Sequence, residues 1–332
     1  MPSILDPPPP DVAAELAALR AKLDQDIPAK LLDRNLLLAT WNIRWFGDII
    51  EQWIVHPPQR RKRDLHAARC LTDIISRFDI VAVQEVQGNA GALRAVAQGL
   101  GAHWGLILTD INRGRLGNFE RLAFLFDTRK VTLAGLACEL VIPQEDLDQA
   151  TSDAPQRQFA RSPYAATFRT GDKIFTLVSM HALFWGTGGG TAERIQELQA
   201  IAAWLDEWRH SRHAWDRHLI ALGDFQIDRL DSPVHQAFTA TGLRMPDGLQ
   251  NVPRTIFDDP DNPTKMYSQI AWFDGDDLVC ARGYRQGNGV DLWIVVPWRR
   301  ASDEPEQGPQ DDPRRRTTAG AAVAWPPAGQ RF

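Results

Sequence analysis

From Leu36 onward the chain alternates short apolar runs with longer stretches of helical period. Strand-like runs lie at 36–41, 80–84, 105–109, 121–126, 131–137, 164–169, 174–180 and 218–223, with weaker candidates at 269–273 and 292–296. The spacing predicts a helix over Asp64–Phe78, where Leu65, Ala68, Leu71, Ile74 and Ile75 share a face. A second is predicted over Thr191–Arg209 through Ile195, Leu198, Ile201, Ala202 and Leu205, and a shorter third over Gly91–Leu100. Runs such as 121–126 and 131–137 follow each other with no helix between. That mixture predicts antiparallel pairs beside βα units, and so packed sheets with helices outside.

The ends read differently. Pro7 to Pro10 cannot join a helix interior and are expected to be extended. Asp11 is placed to cap a short amphipathic helix over Val12–Leu23, packed on the main domain through Leu16, Leu19 and Leu23. From about Arg299 the chain turns Pro/Glu/Gln-rich and then Arg/Pro/Ala-rich, without the periodicity a core needs. The expected division is a leader and helix over 1–33, one domain over 34–298 and a disordered tail over 299–332.

Four of the apolar runs deliver a polar group at or just past their ends. Asn42 follows Leu36–Trp41, Glu85 follows Ile80–Gln84, His181 follows Phe175–Met180, and Asp224 follows His218–Gly223. A buried strand ending this way carries its group to the rim of a sheet. An amide, two carboxylates and an imidazole, if gathered in one cleft, suit a divalent metal and a phosphate ester.

Composition narrows the setting. The chain has 332 residues, 44% hydrophobic and 24% charged, which is the balance of a soluble globular protein with ample core. A net charge of −5 argues against a generally basic nucleic-acid coat, although Arg60-Arg61-Lys62-Arg63 forms a local basic run, read as a solvated helix start. Cys70, Cys138 and Cys280 are odd in number and far apart, which fits a reducing compartment rather than a disulfide framework. The N-terminus lacks the basic and apolar regions of a secretory signal, and no run approaches a membrane span, so a cytoplasmic location is expected.

Other clusters carry less. Gly186 to Gly190 precedes a helix but lacks the Gly-Lys-Ser/Thr ending of a nucleotide loop, and reads as a flexible cover over the cleft. His210, His213 and His218 straddle a helix end without cysteine partners and are not read as a zinc site. Trp185 and Trp272 could stack on bases, but packing is the stronger expectation for both.

Six segments in order resemble the endonuclease/exonuclease/phosphatase superfamily, the group that includes deoxyribonuclease I. They are Thr40-Trp41-Asn42-Ile43-Arg44, Ile80–Val86, Glu120–Asp127, Arg161-Ser162-Pro163-Tyr164, Val178–His181 and Ala221–Phe225. The resemblance spans roughly 36 to 273. It implies a four-layered α/β sandwich, two packed mixed β-sheets flanked by helices, with the site at one end. It further implies Mg²⁺ or Mn²⁺ bound with the help of Asn42 and Glu85, the latter as direct ligand. Asp224 would then orient or deprotonate water, His181 would donate to a phosphate oxygen, and Arg161 would steady a phosphate. The implied partner is a phosphate-ester substrate, DNA and RNA among the candidates.

Three departures matter. Where the family has Gly-Asp-Phe-Asn, this chain has Gln226, whose extra methylene displaces the amide by roughly 1 Å or more. Ser268, in Tyr267-Ser268-Gln269-Ile270, stands where the family has an Asp that orients a final histidine. That histidine is missing: the chain has none beyond His235. Either Ser302-Asp303-Glu304 or Gly287-Asn288-Gly289, ahead of Leu292-Trp293, stands in its place. An Asp that fixes an imidazole has little purpose once the imidazole is gone, so the two losses belong together. A catalytically impaired, ligand-binding descendant is therefore the alternative expectation.

Overall fold

Strand parity assigns the layers. In the computed structural model, which describes residues 1–31, 35–55, 62–113, 117–143, 158–183, 191–245, 267–273 and 292–297, strand β1 spans Asn35–Phe46. Its Leu37, Ala39 and Trp41 join one apolar cluster while Leu36 and Leu38 join another. Strand β4 (Ile80–Gln87) divides the same way: Val81 and Val83 lie on one side, Ile80 and Ala82 on the other. A side-chain period of two buried on both faces requires a layer above and a layer below.

The first sheet has the order β13-β1-β4-β6-β5, where β5 is Trp104–Leu108, β6 is Glu120–Asp127 and β13 is Leu292–Pro297. The second has the order β11-β12-β10-β9-β8-β7. There β7 is Thr132–Glu139, β8 Tyr164–Thr170, β9 Lys173–His181, β10 Leu219–Asp224, β11 Leu243–Arg244 and β12 Ser268–Phe273. Phe124, Phe126, Phe168 and Phe175 fill the space between the sheets, with Ile220, Leu222 and Ile270. Trp272 is in this inner core, at 9% exposure.

Helices cover the outer faces. On the first sheet lie α1 (Pro10–Asp26), α2 (Leu65–Ile75) and α3 (Gly91–Leu100). On the second lie α4 (Thr191–His210) and α5 (Pro233–Thr239). The result is the expected sandwich of helix, sheet, sheet and helix. The α1 helix buries Val12, Leu16, Leu19 and Leu23, as the periodicity predicts, but it begins two residues earlier than expected. Pro10 takes the first helical position, where a missing N–H costs nothing, and Asp11 lies in the first turn rather than capping it. Asp64, expected as the first residue of the helix over 64–78, instead caps α2 by accepting Ala67 N–H at 2.9 Å.

One topological fact positions the site. Among the described residues, each of these two large sheets has a single parallel pair of neighbours, β1 with β4 and β9 with β10, and its other pairings are antiparallel. Parallel neighbours bring their C-terminal ends side by side, and each pair is joined by a crossover that contains a helix, α2 or α4. The four strands expected to end in chemistry are the members of these two pairs.

The opposite end is closed by ions. Asp79, fully buried, accepts Leu37 N–H at 2.7 Å and Lys130 Nζ at 2.8 Å. Lys30, on the chain leaving α1, donates to Asp127 at 2.7 Å. Gly186–Gly190, Trp185, Cys280, 287–289 and the tail from 298 lie outside the described residues.

Candidate functional site

Inward parity carries Asn42, His181 and Asp224 between the sheets, because each continues an inward row: Leu38-Thr40-Asn42, Leu177-Ser179-His181 and Leu222-Asp224. Beneath them Thr40 Oγ1 donates to Gln84 Oε1 at 3.3 Å, and Gln84 Nε2 to Ser179 Oγ at 3.2 Å, a buried polar seam linking the two sheets. Glu85 has the wrong parity. By alternation it belongs with Val81 and Val83 against the helices. A double irregularity corrects this: the register slips on both sides of Glu85, whose φ is 60°. Val86 then resumes packing with the helix layer. A bulge is a device for re-aiming one side chain, and here it turns a carboxylate into the cleft.

The side chains meet as follows. Asn42 Nδ2 donates to Glu85 Oε1 and to Asp224 Oδ2, each at 2.9 Å. Glu85 Oε2 accepts the Trp45 backbone N–H at 2.9 Å, and Asn42 Oδ1 accepts that of Arg44 at 3.0 Å. Asp224 Oδ1 accepts Gln226 N–H at 3.1 Å. His181 Nε2 lies 4.0 Å from Asp224 Oδ2, and its Nδ1 lies 3.0 Å from Glu120 Oε2. The same Glu120 oxygen lies 2.6 Å from Arg161 Nε, while Glu120 Oε1 accepts Asn118 Nδ2 at 2.6 Å. The contacts of Glu120 Oε2 are ion pairs held by charge rather than well-aligned hydrogen bonds. All six expected site residues, Asn42, Glu85, Arg161, His181, Asp224 and Gln226, are therefore described, and the first five fall in one connected polar chain.

Charge follows from this geometry. Burial alone would raise the Glu120 carboxyl, but contact with His181, then Arg161 and Asn118, outweighs it and holds the group at about 2. For His181, burial and the Arg161 charge both push downward; Glu120 and Asp224 overcome them, and the net shift is upward. The imidazole is thus biased toward its protonated form.

Glycine is obligatory just before Asp224. A Cβ on Gly223, whose φ is 147°, would sit 2.1 Å from the Met180 carbonyl oxygen, so only glycine lets β10 lie this close to β9 beside the site. Gln226 sits in a left-handed conformation (φ 53°), and its Oε1 is buried without a hydrogen-bond partner among the described residues. Ser268 opens β12 directly opposite Asp224 in the antiparallel ladder and is buried.

Sequence reasoning left two participants without a role. Glu120 opens the segment Glu120–Asp127, a charged residue at the head of an apolar strand, and it pairs with Gln87 across the ladder. Arg63, inside the basic run expected to start a solvated helix, lies instead on a short strand, is only partly exposed and donates to two backbone carbonyls. The surface histidines go elsewhere: His210 to Asp206, His218 to Asp216 and His213 to Arg212.

No family model matches the sequence, and no curated protein matches it either. Solved structures do. An endonuclease/exonuclease/phosphatase family protein from Bacteroides thetaiotaomicron superposes with a TM-score of 0.54 at 14% identity, over 79% of this chain and 97% of its own. A mannosyl-6-phosphatase from the same organism gives 0.53 at 14%, over 79% and 98%. The human Nocturnin catalytic domain, solved with a bound sulfate anion, gives 0.53 at 13%, over 79% and 93%. The chain therefore carries the endonuclease/exonuclease/phosphatase fold that its sequence resembles.

Proposed function

We propose that this protein is a divalent-metal-dependent phosphodiesterase, nuclease-like in type, that hydrolyses a phosphate ester with an activated water. The observation that supports it best is the Asn42 amide spanning the carboxylates of Glu85 and Asp224, with His181 beyond Asp224. The donor set is oxygen-rich and free of thiols, which fits a hard cation. Among the described residues no group of three or more His, Cys, Asp or Glu forms a closed cage. Magnesium needs none, since it keeps several waters and shares its shell with substrate phosphate. Glu85 would hold Mg²⁺ or Mn²⁺ directly, with Asn42 helping from beside it. The ion would supply positive charge at the phosphoryl oxygens.

The chain's own groups do the rest. Asp224, fixed through both oxygens by Asn42 and by Gln226 N–H, accepts a proton from the attacking water. His181, protonated and steadied at Nδ1 by Glu120, donates from Nε2 to a phosphate oxygen as charge builds there. Arg161, 6% exposed, adds a fixed positive charge behind the same carboxylate, and Gln226 contacts Asp224 through its backbone N–H. A phosphate-ester substrate is also what the mannosyl-6-phosphatase of similar fold is named for. DNA and RNA remain within the proposed class, and the proposed location is the cytoplasm; no helix among the described residues is long and apolar enough to cross a membrane.

A second reading, a catalytically impaired phosphate-binding descendant, is favoured by Ser268 opposite Asp224 and by the lack of any histidine beyond His235. One assay separates the two. With Mg²⁺ or Mn²⁺ the purified protein is expected to cleave plasmid DNA or bis-p-nitrophenyl phosphate, and Glu85→Ala to abolish cleavage. Turnover no higher than that of Glu85→Ala would remove the enzyme reading and leave the second.

A further inference from the structure

A bulged strand leaves backbone carbonyls without ladder partners, and at this site one side chain takes them up. Between the pairs Asn42↔Gln84 and Phe46↔Val86, residues Ile43, Arg44 and Trp45 stand against Glu85 alone. Arg44 and Trp45 are both left-handed, with φ of 52° and 53°. For side chains of this size that conformation costs free energy and persists only where surrounding contacts enforce it. Arg63 Nη2 donates to the carbonyls of Ile43 at 3.0 Å and Arg44 at 2.7 Å.

Arg63 is itself fixed. It lies on β3 (Lys62–Asp64), paired through Ile49↔Arg63 with β2 (Asp48–Ile50). Its neighbour Asp64 caps α2 and also accepts Val55 N–H at 3.2 Å. The enforced segment then presents two N–H groups to the site: Trp45 N–H to Glu85 Oε2, and Arg44 N–H to Asn42 Oδ1.

We propose that Arg63 is a positioning residue for Glu85, acting through the bulge: its guanidinium holds the carbonyls of Ile43 and Arg44, which aims the Trp45 N–H at the carboxylate. Both carbonyls accept from the one nitrogen Nη2, whose two N–H bonds are fixed in the guanidinium plane; a lysine supplies the charge on a flexible stem without that fixed orientation. The consequence for metal affinity rests on the reading of Glu85 as a ligand, whereas the consequence for the backbone does not.

The test uses the full-length protein and its Arg63→Gln and Arg63→Lys variants, with two readouts. Hydrogen exchange in the absence of metal is expected to show the Trp45 amide losing protection roughly 10-fold or more in Arg63→Gln, while the amides of β9 keep theirs. Mn²⁺ titration followed by electron paramagnetic resonance is expected to give binding about 10- to 100-fold weaker. Unchanged protection of Trp45 overturns the proposal. Lost protection with unchanged Mn²⁺ affinity overturns the link to Glu85. If the parent protein binds no Mn²⁺, the metal reading falls, and exchange at Trp45 still decides the role of Arg63. Should Arg63→Gln fail to fold, Arg63→Lys is read in its place, with a smaller loss of protection expected and an unchanged value overturning the proposal.

Discussion

The side-chain amide of Asn42, on one sheet, lies 2.9 Å from the Asp224 carboxylate on the other, across 182 residues of sequence. The same nitrogen reaches Glu85 at the same distance. One amide therefore separates two carboxylates that would otherwise face each other across the cleft. Asn42→Ala is expected to remove hydrolysis and to cost about 1–3 kcal/mol of stability in urea titration, since two partly buried acceptors lose their donor. A variant as stable and as active as the parent would show that the amide only fills space.

The His181–Glu120 pair sets a pH dependence whose sign is fixed by geometry. His181 is raised in the folded state, so its contribution to stability is full below the ordinary histidine value near 6.5 and is lost as pH rises through the higher folded value. Glu120 is depressed to about 2, so its contribution is present above the ordinary carboxylate range and is lost only as pH falls toward that value. Thermal melts between pH 6 and 9 are expected to show declining stability, and Glu120→Gln is expected to flatten that decline and lower the histidine titration seen by NMR. A slope that survives Glu120→Gln would assign it to another group.

Ser268→Asp alone is expected not to raise turnover. It would place a second carboxylate opposite Asp224 in the ladder, at a buried position, with no histidine beyond His235 to receive it. Stability should fall by about 1–3 kcal/mol. A large gain in rate would contradict the view that the orienting acid and its imidazole were lost together.

Gln226→Asn is expected to act in the other direction. Asparagine tolerates the left-handed conformation that Gln226 occupies, so the change should stabilise the fold by up to about 1 kcal/mol, read as a rise in Tm. It also shortens the amide toward the length the family uses, and kcat should rise. A fall in both would mean that the longer amide has a contact of its own to keep.

At the far end of the sheets, Lys130→Met should cost about 3–5 kcal/mol, because it strips the fully buried Asp79 of its nearer cation at 2.8 Å. Mn²⁺ affinity should not change in a population kept folded at low temperature. A matching loss of affinity would show that the two ends of the sandwich are coupled.

The sequence by itself determined the longer strands, the helices α1 to α4, and that Asn42, His181 and Asp224 stand at strand ends on the rim of a sheet. Those are consequences of local periodicity: a residue two positions beyond an inward-facing leucine or threonine faces inward as well. Periodicity also gave packed sheets with helices outside, and the resemblance to the endonuclease/exonuclease/phosphatase superfamily sharpened this to four layers. Glu85 is the contrary case, for its parity sends it toward the helices, and only the slipped register against Ile43, Arg44 and Trp45 turns it back. The pairing of Glu120 with His181 and Arg161, and the reach of Arg63 to two carbonyls, were likewise decided by tertiary structure. Each depends on which strands lie side by side and in what register, and that is set by packing among segments far apart in the chain rather than by the residues next to any one of them.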